Sequence, residues 1–256
     1  MKFTTACYTD IGTRKKTNQD SMLIMQAQTD MGNVLFASVC DGMGGLAKGE
    51  VASTAMVRML SNWFQMEFPS ILADGLSQDQ LITSWERLVT DASHKISAYG
   101  SQIHVDMGTT AVALLIVGDA YYIFNVGDSR VYLISDAIYQ LTKDQTFVQN
   151  EIDNGRMTEA EAMMSPKKSV LLQCIGASNI ARPDFVTGQA GPGQVFMLCC
   201  DGFRHVIQPS EFYEAFNYKA LKNKNIMEKA TRQMTEENIR RGEDDNISVI
   251  LVKVEK

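Results

Sequence analysis

Three carboxylates in this 256-residue chain occupy the same kind of place. The apolar run at residues 34–40 leads into Asp41-Gly42-Met43-Gly44-Gly45, the run at 194–200 leads into Asp201-Gly202, and Asp244-Asp245-Asn246 stands directly before the run at 247–254. Each run, with its β-branched members, reads as a buried strand, and the glycines beside the acids let the backbone approach something closely. If the three strand ends share one sheet edge, the carboxylates converge. Converging carboxylates without basic partners repel strongly, so a purely structural role is costly and a cation is invited. The donors on offer are Asp41, Asp201, Asp245 and the Gly42 carbonyl, with Asp20 and Asp128 as further members. All are hard oxygens, which select magnesium or manganese over zinc or copper. A single Asp-Gly pair is a plain turn, as Asp74-Gly75 between two helical segments illustrates; its repetition at apolar strand ends is what points to chemistry.

Competing chemistries fare worse. Gly42-x-Gly44-x-x-Ala47 fits a loose dinucleotide fingerprint, but Asp41 would face the pyrophosphate, and Lys48 is followed by Gly49 where a P-loop needs Ser or Thr. The five cysteines form no CxxC pair and the three histidines do not cluster with them, which speaks against zinc and for buried thiols in a reducing compartment. A net charge of −6 excludes general nucleic-acid binding, yet leaves a phosphate substrate open if a bound cation inverts the local sign. No run approaches the roughly 18 apolar residues of a membrane span, and the amino terminus lacks the apolar core of a signal peptide. The expected address is cytoplasmic, with neither membrane nor nucleic acid as partner.

The elements that must position the acids follow from periodicity. Strands are expected at 3–8 and 21–27, separated by a polar, basic loop. From Gly49 the pattern becomes helical, with Val51, Ala52, Ala55, Met56, Met59, Leu60 and Trp63 on one face and Pro69 as the stop. Ser77-x-x-Gln80 predicts the cap of a second helix carrying Leu81, Trp85, Val89, Ala92 and Ile96. The runs at 109–117, 120–126 and 131–135 predict an antiparallel meander. Residues 141–178 read as an inserted helical flap with a capping box at Thr158-x-x-Glu161, and further helices are expected near 210–216 and 221–241 before the last strand. This order predicts the α+β class: one domain over residues 1–256, built as a four-layer α-β-β-α sandwich of two antiparallel sheets.

The chain resembles, nearly end to end, the metal-dependent protein phosphatases (PPM, type 2C serine/threonine phosphatases), bacterial members in particular. The matches, in family order, are Gly12 through Asn18-Gln19-Asp20, Val39 through Gly45, Gly108-Thr109-Thr110-Ala111, Asn125 through Arg130, Leu141-Thr142-Lys143-Asp144, Cys200-Asp201-Gly202-Phe203 and Asp244-Asp245-Asn246. The resemblance implies the same sandwich and a phosphatase acting on phosphoserine and phosphothreonine in proteins through two Mn2+ or Mg2+ ions. Asp41 bridges both ions, the Gly42 carbonyl completes one site, Asp201 and Asp245 hold the other, and Asp20 binds through water. The ions lower the pKa of a shared water for in-line attack on phosphorus. Asp128, with Asp201, matches the position of a third, weaker ion. The implied partners are phosphorylated proteins, including a serine/threonine kinase and its substrates, and the expected state is a monomer.

Departures from the family pattern mark open points. Gln19 stands where the family often has Glu, Met43 where eukaryotic members have a histidine as candidate general acid, and His205 where the family has an aspartate. Register assigns the phosphate-binding role to Lys15, whereas the planar fork of a guanidinium favours Arg14, the residue preferred on chemistry. Two other readings stay open: a pseudophosphatase or phosphoprotein-binding module, which the intact Asp41, Asp201 and Asp245 oppose, and a hydrolase of small phosphate esters.

Overall fold

In the computed structural model, residues 1–43, 48–177 and 181–256 are described. Gly44 and Gly45 of the glycine-rich turn, Ala47 of the loose dinucleotide fingerprint and Ser178 at the end of the flap lie outside the described residues.

Two antiparallel sheets stack face to face. One runs β1 (Lys2–Asp10), β11 (Ile247–Glu255), β10 (Val195–Cys199), β7 (Arg130–Ile134), β8 (Ile138–Gln140); the other runs β2 (Asp20–Thr29), β3 (Gly32–Met43), β5 (Ala111–Val117), β6 (Ala120–Val126), β9 (Asp184–Gln189). A short β4 (Gly108–Thr109) pairs with the end of β3. On β3, Leu35, Ala37 and Val39 pack between the sheets, while Val34, Phe36 and Cys40 pack under the helices α1 (Gly49–Met66) and α3 (Gln78–Ile103). A strand buried on both faces keeps few polar positions, which is why it reads as an apolar run broken only at Ser38, whose hydroxyl donates to Val112 O at 2.8 Å. Under α1 and α3, Phe36 lies 5.2 Å from Trp63 and Trp85 lies 5.2 Å from Phe124, ring centroid to centroid. On the opposite face α6 (Pro209–Phe216) and α7 (Lys224–Arg240) cover the first sheet, with Phe212 and Phe216 of α6 stacked on Phe203. This is the four-layer α-β-β-α sandwich. Among the described residues no helix is long and apolar enough to cross a membrane.

The caps form as expected: the Ser77 hydroxyl accepts from Gln80 N, and Thr158 and Glu161 bond reciprocally. Four expectations need correction. Pro69 does not simply end a helix. It sits in the first turn of a short α2 (Phe68–Ala73), where its missing N–H costs nothing. The meander breaks after β6, because at Gly127 (φ 103) the chain leaves the second sheet and β7 joins the first. β8 and β9 were not expected; their exposed, mixed faces carry little apolar alternation. Finally, among its described residues the flap holds two short helices, α4 (Phe147–Asp153) and α5 (Glu159–Met164), with bridges from Thr109 to Ile175 and Thr146 to Leu171 tying down the turns between.

Candidate metal centre

The acids meet at one end of the sandwich, and they come from both sheets. In the second sheet the β2–β3 register places Asp20 directly opposite Asp41. In the first, β10 and β11 run antiparallel, so Asp201 at the end of one lies beside Asp245 at the start of the other. No single sheet edge is shared, because β3 and β10 lie in different layers.

Local geometry explains the residues around each acid. β3 does not stop at Asp41-Gly42 but continues to Met43, pairing with β4. Gly42 N donates to Gln19 O at 3.1 Å, and a Cβ at Gly42 would fall 2.2 Å from the Gly49 carbonyl oxygen, so only glycine lets β3 and the start of α1 approach this closely. The Asp41 backbone is pinned by two threonines: Asp41 N donates to Thr110 Oγ1 at 3.0 Å and Thr109 Oγ1 donates to Asp41 O at 2.9 Å. A Cβ at Gly202 would meet Asn246 O at 2.2 Å, which puts the turn after Asp201 against the Asp245–Asn246 backbone. Asn246 clasps the basic loop, donating to Ile11 O at 2.8 Å and accepting from Gln19 N at 2.8 Å.

The electrostatics carry the mark of crowded acids. Burial, then the charges of Asp20, Asp201, Asp128 and Asp245, pushes the Asp41 carboxyl well above its ordinary range. Asp20 is raised to about 7, first by burial and further by Asp201 and Asp245, against the opposing influence of nearby Ser248 and Cys200. Asp128 is raised to about 7 by burial and by Asp201, with Arg204 working the other way. Asp201 is the exception: burial would raise it, but His205 and then Arg204 hold it below the carboxylate range.

Both carboxylate oxygens of Asp20 and Oδ1 of Asp201 are buried with no hydrogen-bond partner. An unmet buried acceptor costs about 1–3 kcal/mol, more when charged, so these oxygens fit a hard divalent cation as the missing partner. Among the described residues no three acidic, histidine or cysteine side chains are drawn up tightly enough to ligate one point. Three of the acids hold cationic side chains instead: Asp245 takes Lys15 at 2.7 Å, Asp201 takes His205 at 3.3 Å and Asp128 takes Arg204 at 3.4 Å. The carboxyls of Asp20, Asp41 and Asp128 thus lie close enough to other acids for their pKa to rise, and the donor set is all oxygen.

The basic loop divides its two candidates. Lys15 reaches Asp245, while Arg14 pairs with Asp244 at 2.8 Å and its side chain is 79% exposed. Burial opposes the Lys15 charge, but its hydrogen bond to Asp245 and the field of Asp245, Asp41 and Asp201 raise its pKa. The inward position therefore belongs to Lys15, reversing the preference for Arg14. The register of the loop is set by the Asn246 clasp and by Gly12 (φ 75), whose Cβ would strike Asp245 O. Asp128 sits on the crossover between sheets, buried, with Arg204 Nη2 donating to its main-chain oxygen at 3.0 Å. Asp144 lies behind it, gripping Arg130 through two bonds of 2.7 and 2.8 Å and accepting from Arg204 at 3.2 Å.

The protein phosphatase 2C family profile matches residues 12–246. The chain belongs to the protein phosphatase 2C family. The serine/threonine phosphatase stp of Listeria innocua is 31% identical to it, over 96% of this chain and 93% of that protein. The structure of the S. agalactiae serine/threonine phosphatase superimposes with a TM-score of 0.85 at 28% identity, covering 99% of this chain and 100% of that one. The catalytic domain of the serine/threonine protein phosphatase PstP, solved in complex with two manganese ions, gives a TM-score of 0.79 at 28% identity, covering 99% of each chain.

Within this protein phosphatase 2C chain, Glu243 is the residue sequence reasoning missed. Its side chain is 5% exposed. Oε1 accepts from Asp244 N at 3.1 Å and Asp245 N at 3.0 Å, and Oε2 meets His205 Nδ1 at 3.2 Å. The other face of that imidazole holds Asp201, so one carboxylate braces the two acids contributed by the first sheet. Burial opposes the His205 charge, but Asp201 and Glu243 raise its pKa to about 10. The only sequence signal was the departure at His205; its partner lies 38 positions away and no local pattern couples them.

Proposed function

We propose that this chain is a metal-dependent serine/threonine protein phosphatase, hydrolysing phosphoserine and phosphothreonine in proteins at a binuclear Mn2+ or Mg2+ centre. The observation that carries the reading is the meeting of Asp20, Asp41, Asp201 and Asp245 from two sheets, with buried carboxylate oxygens that no hydrogen bond satisfies. In this reading Asp41, the Gly42 carbonyl, Asp201 and Asp245 would hold the two ions, with Asp20 beside them, and Asp128 with Asp201 would hold a weaker third. When bound, the ions supply Lewis acidity to the phosphoryl oxygens and an activated water nucleophile. That PstP was solved with two manganese ions supports the count.

The chain's own residues do the rest. Thr109 and Thr110 hold the Asp41 backbone, and Glu243 with His205 holds Asp245 and Asp201. Lys15 brings a point charge beside the acids to meet phosphoryl oxygens, with Arg14 at the rim as a second cation. Met43 cannot donate a proton, so the leaving oxygen takes its proton from solvent or another group. We take residues 1–256 to act as a single catalytic domain, monomeric and cytoplasmic, with the flap beside the centre. The phosphoproteins it acts on include a serine/threonine kinase and that kinase's substrates.

The test is phosphate release from a phosphothreonine peptide with added manganese, with and without chelator. Release that depends on manganese and vanishes on chelation is expected. A folded chain that binds the peptide but releases no phosphate in saturating manganese would instead be a binding module.

A further inference from the structure

The sandwich is covered by helices on both faces but not along one side, where β1 and β2 are the outer strands of their sheets. A groove of about 450 Å³ opens there, away from the carboxylate edge. Its floor is the Thr5–Tyr8 segment of β1 with Ile24 of β2, and α7 forms its rim.

The groove has the wrong charge for its surroundings. In a chain of net charge −6, α7 contributes Lys224, Lys229 and Arg232 to it against one acid, Glu228. Glu228 lies 3.8 Å from Lys224, and among the described residues Lys229 and Arg232 form no ion pair. Arg232 is held over the Tyr8 ring, 5.0 Å from its centroid, which fixes the guanidinium on the groove wall.

The floor is equally specific. β1 pairs with β11 along its whole length from Lys2 to Asp10, and nothing pairs with its other edge among the described residues. An edge strand presents unpaired N–H and C=O groups to which an extended segment can add as a further strand. β1 and α7 also lead the same way: Glu228 and Lys224 act on Cys7, Arg232 on Tyr8, and both elements then end at the loops flanking Asp245. Ile24 lies four residues beyond Asp20 on β2, about 13 Å at 3.3 Å per residue.

We propose that this groove docks an acidic, extended segment of the phosphoprotein substrate. The segment adds to the free edge of β1, setting carboxylates against Lys229, Arg232 and Lys224, roughly four to eight residues from the phosphorylated one. The proposal rests on the phosphatase reading for its substrate but not for its binding step, and the two are tested separately.

Three substrates are compared on the full chain in manganese: a phosphothreonine peptide with glutamates four to eight residues away, the same peptide with those positions changed to serine, and a small aryl phosphate. The acidic peptide is expected to have a KM about tenfold lower than the serine peptide, weakening as salt rises. The double substitution Lys229→Glu, Arg232→Glu is expected to remove that preference and leave aryl phosphate turnover unchanged. In parallel, fluorescence anisotropy with a labelled, unphosphorylated acidic peptide is expected to show binding to the wild type in chelator and none to the double variant. Failure to hydrolyse the aryl phosphate would sink the phosphatase reading while leaving this binding result to stand or fall by itself. Equal KM for the two peptides, or no binding of the acidic peptide, overturns the groove. So does a double variant that changes only the sedimentation of the chain, since the occupant would then be a second copy.

Discussion

Without metal the chain should lose stability as pH rises from 5 to 8, which is the reverse of ordinary acid denaturation. Asp20 is raised to about 7 in the fold from its ordinary 3.8. A carboxyl raised on folding binds a proton that the unfolded chain has released, so its stabilisation is full below 3.8 and is lost as pH rises through about 7. Between pH 5 and pH 8 one such group forfeits nearly two units of proton binding, about 3 kcal/mol at 1.36 kcal/mol per unit. Asp128, raised to the same value by burial and by Asp201, acts in the same direction. His205, raised from 6.5 to about 10, adds to the loss above 6.5. Asp201, whose carboxyl is lowered from 3.8, exerts its opposite effect below about pH 4 and does not enter the window. For a chain of this size 3 kcal/mol corresponds to roughly 6 °C in Tm. Manganese takes the deprotonated carboxylates, so the stabilisation it provides should grow with pH. Calorimetric scans at pH 5, 6.5 and 8, in chelator and in saturating manganese, measure both slopes. A chelated chain that is as stable at pH 8 as at pH 5, or a manganese increment equal at the two, would refute the picture of crowded, proton-sharing acids.

The remaining expectations concern single side chains. Asp41→Asn removes a charge from a ligand and no volume from the core, so Tm in chelator should hold or rise while turnover falls at least about a hundredfold; near-normal turnover in saturating manganese would contradict the bridging role. Glu243→Ala strands two backbone N–H groups and one face of His205, and should cost about 2–4 kcal/mol in denaturant titration and about 10–100-fold in manganese affinity, with Glu243→Gln recovering part of both. Lys15→Ala should raise KM for phosphopeptide and aryl phosphate alike, and Arg14→Ala should do so less; the opposite order in side-by-side kinetics would return the phosphate to Arg14.

Local sequence determined a great deal here. The runs at 34–40, 195–200 and 247–254 declared themselves as strands because burial on both faces leaves few polar positions, and the helices declared themselves through single apolar stripes and capping residues such as Ser77 and Thr158. Acids at the ends of such strands were equally legible, since Asp41, Asp201 and Asp245 adjoin the runs themselves. What periodicity reports, however, is burial and not partner. It could not say that β7 leaves the sheet of β5 and β6, a change made at Gly127, where a Cβ would collide with Thr110. Nor could it find β8 and β9, whose half-exposed residues carry no contrast between faces. That Lys15 and not Arg14 lies against Asp245 depends on a loop that Asn246 clasps from more than 200 residues later in the chain. Glu243 became a brace for the centre only when folding brought His205 against it. Such contacts depend on distances between separate elements, and only the packed sandwich creates those distances.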